Sequence, residues 1–244
     1  MTADFNPHIS VDCVVFGFDG NELNGLLINR DPANENRRTG KLKLPGDLII
    51  RGEMLAAAAQ RILTEFTGLH NIYLKQFGIF DDPHRLDSSD DLAWLRSRSG
   101  VPVERVVTVA YYSLVKIDRS MQTDLSIAYN ACWYSCASIP ALIFDHNRII
   151  ENGMDVLRKE LLTEPLCFEL LPEKFTLNQL QRLYEAILGC SLDNRNFRKK
   201  IQRLPYILPL NERQNGVSHK PAQLHVFDNE KYNLLKKDHT VFIL

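Results

Sequence analysis

DLIIRGEMLAAAAQRILTEFTGL, residues 47–69, is the stretch whose reading decides the fold. Met54–Phe66 reads as a helix, rich in Ala, with Gly68 as its C-terminal stop. On such a helix positions 61, 62, 65 and 66 fall on two adjoining strips. Glu53, just ahead of the helix, is placed to pair with Arg61 and fix the loop against it. Ile62 and Phe66 extend the apolar face, and Leu44-Pro45 leads in from the N-terminal side.

The stretch resembles the Nudix box, whose family pattern is G-x5-E-x7-R-E-U-x-E-E-x-G-U, with U a bulky aliphatic. Glu53, Arg61, Leu63, Glu65, Gly68 and Leu69 fall on pattern positions. Asp47 replaces the opening Gly, Ile62 the Glu after the Arg, and Phe66 the second Glu of the pair. In the family, carboxylates on this helix face hold Mg²⁺, which wants hard oxygen ligands in near-octahedral geometry. The metal then polarises a diphosphate and activates water. Here only Glu65 is left of that trio, so the resemblance implies a domain that binds without cleaving. No catalytic residue, metal ligand or cofactor is expected.

Composition sets wide bounds. The chain has 244 residues, enough for one large domain or two smaller ones. Hydrophobic content of 45% and charged content of 24% are ordinary for a globular protein. The net charge of −1 argues neither for nor against nucleic acid, so charge distribution has to decide. No apolar run is long enough to span a bilayer, and the opening MTADFNPHIS lacks the segments of a signal peptide. The five cysteines are scattered, and the C-x3-C of Cys132 and Cys136 has no second pair to complete a zinc site. Free thiols in a reducing cytoplasm are the expectation.

Around the box, His8–Phe18 and Leu23–Arg30 read as a hairpin turning at Asp19-Gly20-Asn21. Asp31–Lys43 is polar and basic and reads as an exposed loop. Asn71–Phe80, Glu104–Ile117 and Asn130–Ser135 read as strands, the middle one densest in β-branched and aromatic residues. Asp81–Val103 is long for a connection. Ser89 can cap a helix over Asp90–Arg98 there, with Trp94 and Leu95 on its apolar side. Two readings stay open for it: a functional element, or a surface decoration. Asn147–Leu162 carries Ile149, Ile150, Met154, Leu157 and Leu161 at helical spacing, and Pro165 ends it. The division is expected at 163–172, giving domains 1–165 and 166–244.

In the second part, Thr176 with Gln179 makes a capping box for a helix that Gly189 stops. Asp193 can cap another, Asn194–Leu204, burying Phe197, Ile201 and Leu204. Tyr206–Leu210 and Ala222–Phe227 read as strands around a loop, Asn211–Pro221. A helix pair followed by a β-hairpin is a winged helix. Residues 195–220 hold Arg195, Arg198, Lys199, Lys200, Arg203, Arg213 and Lys220 against one acid, Glu212. Arg195, Arg198 and Lys199 share a face opposite Phe197 and Ile201. Such a face suits the major groove, with Asn194 and Asn196 near the helix start and His219 and Lys220 on the wing. A solvated face or a protein-binding winged helix carries the same pattern.

Together the degenerate box, IPALIFDH, FTLNQLQRLYEAILG, LDNRNFRKKI and KPAQLHVF resemble the Nudix-related transcriptional regulators. The resemblance implies an α/β/α Nudix-like sandwich followed by a winged helix, a homodimer on double-stranded operator DNA, and a small-molecule effector. Some members sense ADP-ribose and regulate NAD metabolism. Others, in Bacteroidetes, are more similar in RxLxExTGL and PALIFDH and sense a pentose such as L-arabinose. A pentose-responsive regulator is the expectation; a Nudix hydrolase or an ADP-ribose sensor is the alternative. The insertion 86–103 departs from both groups. Candidate effector-binding groups are Asp12, Arg30, Asp47, Glu65, Asp82, Arg85 and Arg105, with Asp82-Pro83-His84-Arg85 similar to an RDPR-like motif of the family.

Overall fold

A computed structural model describes residues 4–30, 41–70, 72–117, 130–161, 163–216 and 220–237. The chain divides into two compact units, one of residues 1–17 with 24–156 and one of 18–23 with 157–244.

The first unit is built on a seven-stranded sheet. β1 (Phe5–Phe18) and β2 (Leu23–Asn29) are the opening hairpin. The Asp19 carboxylate accepts the N–H groups of Asn21 and Glu22 at 2.8 Å and closes its turn. β3 (Leu42–Lys43), β4 (Gly46–Ile50), β5 (Lys75–Phe80), β6 (Val107–Lys116) and β7 (Ala131–Ser135) complete the sheet. Its order is β3-β2-β1-β6-β5, with β4 pairing β1 and β7 pairing β2. Helix α1 (Leu55–Thr67) ends on Gly68 at φ 70°, the left-handed position expected from sequence. It buries Ala58, Ala59, Ile62 and Leu63 against Val11, Cys13, Val15 and Leu26. Ile62 therefore sits in the core, where burial of an apolar side chain stabilises and a carboxylate would be costly.

Some details differ from the sequence reading. The path from Pro45 does not run straight into the helix, because β4 intervenes and pairs antiparallel with β1. Lys43 is not part of an exposed loop; it lies in β3 and is buried. Residues 31–40 of that expected loop lie outside the described residues. The insertion does form a helix, α2 (Ser89–Ser99), but Ser88 caps it rather than Ser89. The Ser88 hydroxyl accepts the Asp91 N–H, and Asp90 and Asp91 face the positive end of the helix dipole. Leu95 packs with Leu48, Leu86, Val103 and Val106, and Phe5, Leu92, Trp94 and Phe144 border that cluster. Helix α3 (His146–Leu161) follows.

The second unit is a winged helix. Helix α4 (Leu177–Leu188) has both halves of the Thr176/Gln179 capping box and stops at Gly189. Helix α5 (Asn194–Ile201) has Asp193 as its cap, but ends three residues before Leu204. β8 (Ile207–Arg213) and β9 (Gln223–Phe227) pair antiparallel, so the wing strand is longer and its loop shorter than expected. Phe175 bridges His225 as a further antiparallel partner. An unanticipated helix, α6 (Asn229–Lys237), brings Tyr232 against Tyr206 and Phe227. Phe168 stacks on Phe227 with ring centroids 4.4 Å apart. This aromatic seam, with Tyr184 against Phe197, is the core of the unit.

One glycine fixes the interior of the first unit. A Cβ on Gly46 would lie 1.7 Å from Asp12 Oδ1, on the strand directly opposite. Gly46→Ala is expected to cost about 1–3 kcal/mol or more through overpacking. Urea unfolding measures it; an unchanged midpoint would show that Asp12 is free to move aside.

Candidate functional site

The chemistry-bearing interior of the first unit gathers around Asp12. Its carboxylate is buried on β1, with His146 Nε2 3.5 Å away. His146 Nδ1 accepts the Leu44 N–H at 3.0 Å, which leaves the proton on Nε2, facing Asp12. Burial pushes the Asp12 carboxyl up, but His146, Lys43 and Arg85 outweigh it and hold it below the usual 3.8. Lys43 is buried too, and donates to the Gly46 carbonyl. Its ammonium lies 5.5 Å from the Phe66 ring centre and 5.3 Å from that of Trp94. Burial pulls the Lys43 amine below its ordinary value, against the pull of Asp12 and Asp47.

Arg85 stands on the other side. It donates to Asp145 Oδ1 at 2.7 Å, to the Phe80 carbonyl at 3.1 Å and to the Thr108 hydroxyl. Thr108 and Ser10 share a hydrogen bond at 2.6 Å. Asp47, its side chain 1% exposed, is held by Arg98 from α2. Of these groups, Ser10, Asp12, Lys43, Asp47, Arg85, Thr108 and His146, with Leu48, Trp94, Leu95 and Phe144, line a small pocket of about 30 Å³. Phe144 stands at φ 53°, uncommon for an aromatic residue, and donates its N–H to Asp91 of α2 at 3.3 Å. The insertion thus supplies part of the wall of this pocket through Leu86, Trp94 and Leu95.

Of the seven expected effector groups, Asp12, Asp47 and Arg85 meet in this pocket. Glu65 lies in an adjoining groove, paired with Arg61 at 3.2 Å. Asp82 and Arg105 line a separate hollow, where Asp82 pairs with Arg148 at 3.2 Å and Arg105 donates to the Asp81 carbonyl. Arg30 pairs with Asp91 at 3.2 Å and is not among the groups lining the pocket. Sequence reasoning missed Lys43, His146, Arg98, Ser10 and Thr108. The strand alternation around Lys43 was the one local signal available.

The metal that a Nudix box implies does not fit these residues. Among the described residues no group of three His, Cys, Asp or Glu is placed to hold one. Ile62 is core, Phe66 underlies the Lys43 ammonium, and Glu65 is left with Arg61. Glu53 and Arg61 keep their bidentate pair at 2.7 and 2.8 Å, the hydrogen bonds holding the Glu53 carboxyl below its usual value.

In the second unit, α5 turns Phe197 and Ile201 inward and leaves Asn194, Arg195, Asn196, Arg198, Lys199 and Lys200 exposed. Arg203, Arg213 and Lys220 are exposed as well, and His219 lies outside the described residues. Arg198 is steadied by Asn178 of α4, Nη2 to Oδ1 at 2.7 Å. Arg213 donates to the Pro221 carbonyl across the wing. Glu212, the acid of the wing strand, is paired with Lys174 at 2.7 Å. A cationic helix face beside a cationic hairpin can hold a phosphate backbone while short polar side chains reach base edges.

Comparison with known proteins agrees with this architecture. Residues 167–227 match the NrtR DNA-binding winged helix domain. The chain is similar to the ADPR responsive transcriptional repressor NtrR of Acinetobacter baylyi, with 26% identity over 232 residues, 93% of this chain and 85% of the relative. In fold it is similar to Shewanella oneidensis NrtR complexed with a 27mer DNA: TM-score 0.69, 24% identity, covering 90% of this chain and 93% of that one. A MutT/nudix family protein of Enterococcus faecalis gives TM-score 0.65 at 20% identity, covering 91% and 86%. The fold is a Nudix-like α/β domain followed by a C-terminal winged helix.

The Asp12 environment gives a test with a definite sign. A carboxyl held below 3.8 in the folded state contributes stability above that pH, and loses it as pH falls through the folded value. Asp12→Asn should therefore remove part of the acid-side loss of stability below about pH 4. Thermal midpoints across pH 2–6 check this; parallel wild-type and variant profiles would contradict it.

Proposed function

We propose that this chain, a Nudix-like domain joined to an NrtR-type winged helix, is a DNA-binding transcriptional regulator under the control of a small ligand. The observation that carries the reading is the exposed basic face of α5, set beside a basic wing in a segment matching a DNA-binding domain. Two copies on a palindromic operator in the cytoplasm complete the proposal. Among the described residues no helix is long and apolar enough to cross a membrane.

For the effector, the expectation of a pentose gives way to ADP-ribose. The support is the ADPR-responsive repressor that aligns over 93% of this chain. A monosaccharide is the second reading: the polar groups around Asp12 and His146, beside the rings of Trp94 and Phe144, are the kind a sugar needs, but the free space among them is about 30 Å³, far short of a sugar. Either ligand acts only by binding the DNA-competent and incompetent states unequally. With Ile62 and Phe66 at two of the metal-ligand positions of the box, the proposal has no hydrolytic step.

The DNA interface is tested by substitution. Arg198→Ala is expected to weaken binding to a cognate operator by roughly 1–3 kcal/mol if the side chain reads a base. Lys220→Ala should weaken all sequences alike and flatten the salt dependence. Absence of any salt-sensitive binding to genomic fragments, with or without effector, would sink the regulator reading.

The effector is tested by calorimetry with ADP-ribose and a panel of pentoses and hexoses, with and without operator. ADP-ribose should bind, change operator affinity and be recovered intact. By linkage, operator must change ADP-ribose affinity by the same factor. Monosaccharide binding without ADP-ribose binding would reverse the choice, and multiple turnover of ADP-ribose would restore the hydrolase.

A further inference from the structure

The box has lost its metal donors, yet a positive charge stands over it. Arg98 reaches from α2, in the insertion, to Asp47, the residue that opens the box. Its Nε lies 3.2 Å from each Asp47 oxygen, and Nη2 closes the fork. The guanidinium also lies 4.8 Å from the centre of the Phe5 ring. Glu65, the box acid left on α1, acts on Arg98 electrostatically, as does Arg61 with the opposite sign. Arg98 thus holds Asp47, while Glu65 has Arg61 as its hydrogen-bonded partner.

We infer that Arg98 is a resident cation in the place of the absent divalent ion, so that the groove above the box binds a diphosphate-bearing ligand without metal. The inference deepens the ADP-ribose reading and rests on it. A divalent ion in such a site neutralises protein carboxylates on one side and offers open positions to phosphate on the other. Arg98 has the same two-sidedness. Nε and Nη2 are spent on Asp47, while Nη1 makes no hydrogen bond to any described residue, and the side chain is 39% exposed.

The rest of the groove suits the same ligand. Its lining includes Arg51, Arg61 and Arg98 against Asp4 and Glu65, with Phe5 and Trp94 as ring surfaces. Arg61 is spent on Glu53, Glu65 and the Leu48 carbonyl, so it braces the loop. Among the described residues Arg51 bonds only through Nε, to Asp4 at 3.1 Å. Both guanidiniums line the groove, and guanidinium donors match phosphate oxygens in planar, bidentate geometry. A second cation entering beside Arg98 would meet like charge instead of a carboxylate trio.

The test is calorimetry on the full chain with inorganic pyrophosphate and ADP-ribose, first in EDTA and then in Mg²⁺. Both ligands should bind in EDTA, with little change on adding Mg²⁺. Arg98→Gln should weaken both roughly ten- to hundred-fold, with Arg98→Lys between. Because Arg98→Gln leaves Asp47 unpaired and the variant could unfold, the Asp47→Asn, Arg98→Gln double variant removes both charges of the pair. It should fold and show the same loss. Binding that appears only with Mg²⁺, or a folded double variant that binds like wild type, overturns the resident cation and leaves ADP-ribose as effector. No ADP-ribose binding in either condition overturns both.

Discussion

The buried charges of the first unit constrain most of what surrounds them. Asp12, Lys43, Asp47 and Arg85 all lie inside a Nudix-like α/β unit. An unpaired charge there would cost several kcal/mol, so each needs partners delivered at hydrogen-bond range. That need accounts for otherwise unrelated features. Gly46 has no side chain because Asp12 occupies its space. The short β3 exists to set Lys43 over Phe66. His146 starts α3 where its ring can join Leu44 to Asp12. The insertion delivers Arg98 to Asp47 and Asp91 to Arg30. Remove α2 and a buried carboxylate loses its counter-charge.

The second unit follows the opposite plan. Its interior is a seam of aromatic rings and aliphatic side chains, and its charge is outside, on α5 and the wing. Polar groups near the interior serve helix ends: Thr176 and Gln179 on α4, and Glu185 accepting the Leu192 N–H in the turn. Such a unit holds a rigid shape without spending its cations internally, which leaves them for an anionic surface. The first unit instead keeps several charges inside, Asp12, Lys43, Asp47, Arg85 and Asp91 among them.

How much was legible in the sequence follows the range of each interaction. The capping box at Thr176, the stops at Gly68 and Gly189 and the cap at Asp193 depend on residues three or four apart, and all stand as read. The Glu53–Arg61 pair spans eight residues and was legible through the box. The pocket was legible only in part. Arg98 meets Asp47 across 51 positions, and His146 meets Leu44 across 102. No local pattern records such pairs. Lys43 misled because a lysine after a basic loop normally stays in water; here rings and two buried acids hold it inside. Helix α6 was missed because it is mostly polar and its Leu234 stays exposed, with Tyr232 the buried residue that docks it.

Trp94 belongs to two compartments at once. It lines the inner pocket with Lys43 and Phe144 and also the outer groove with Arg98. The same indole would meet a ligand in either compartment. The insertion thus ties the two hollows together through one side chain.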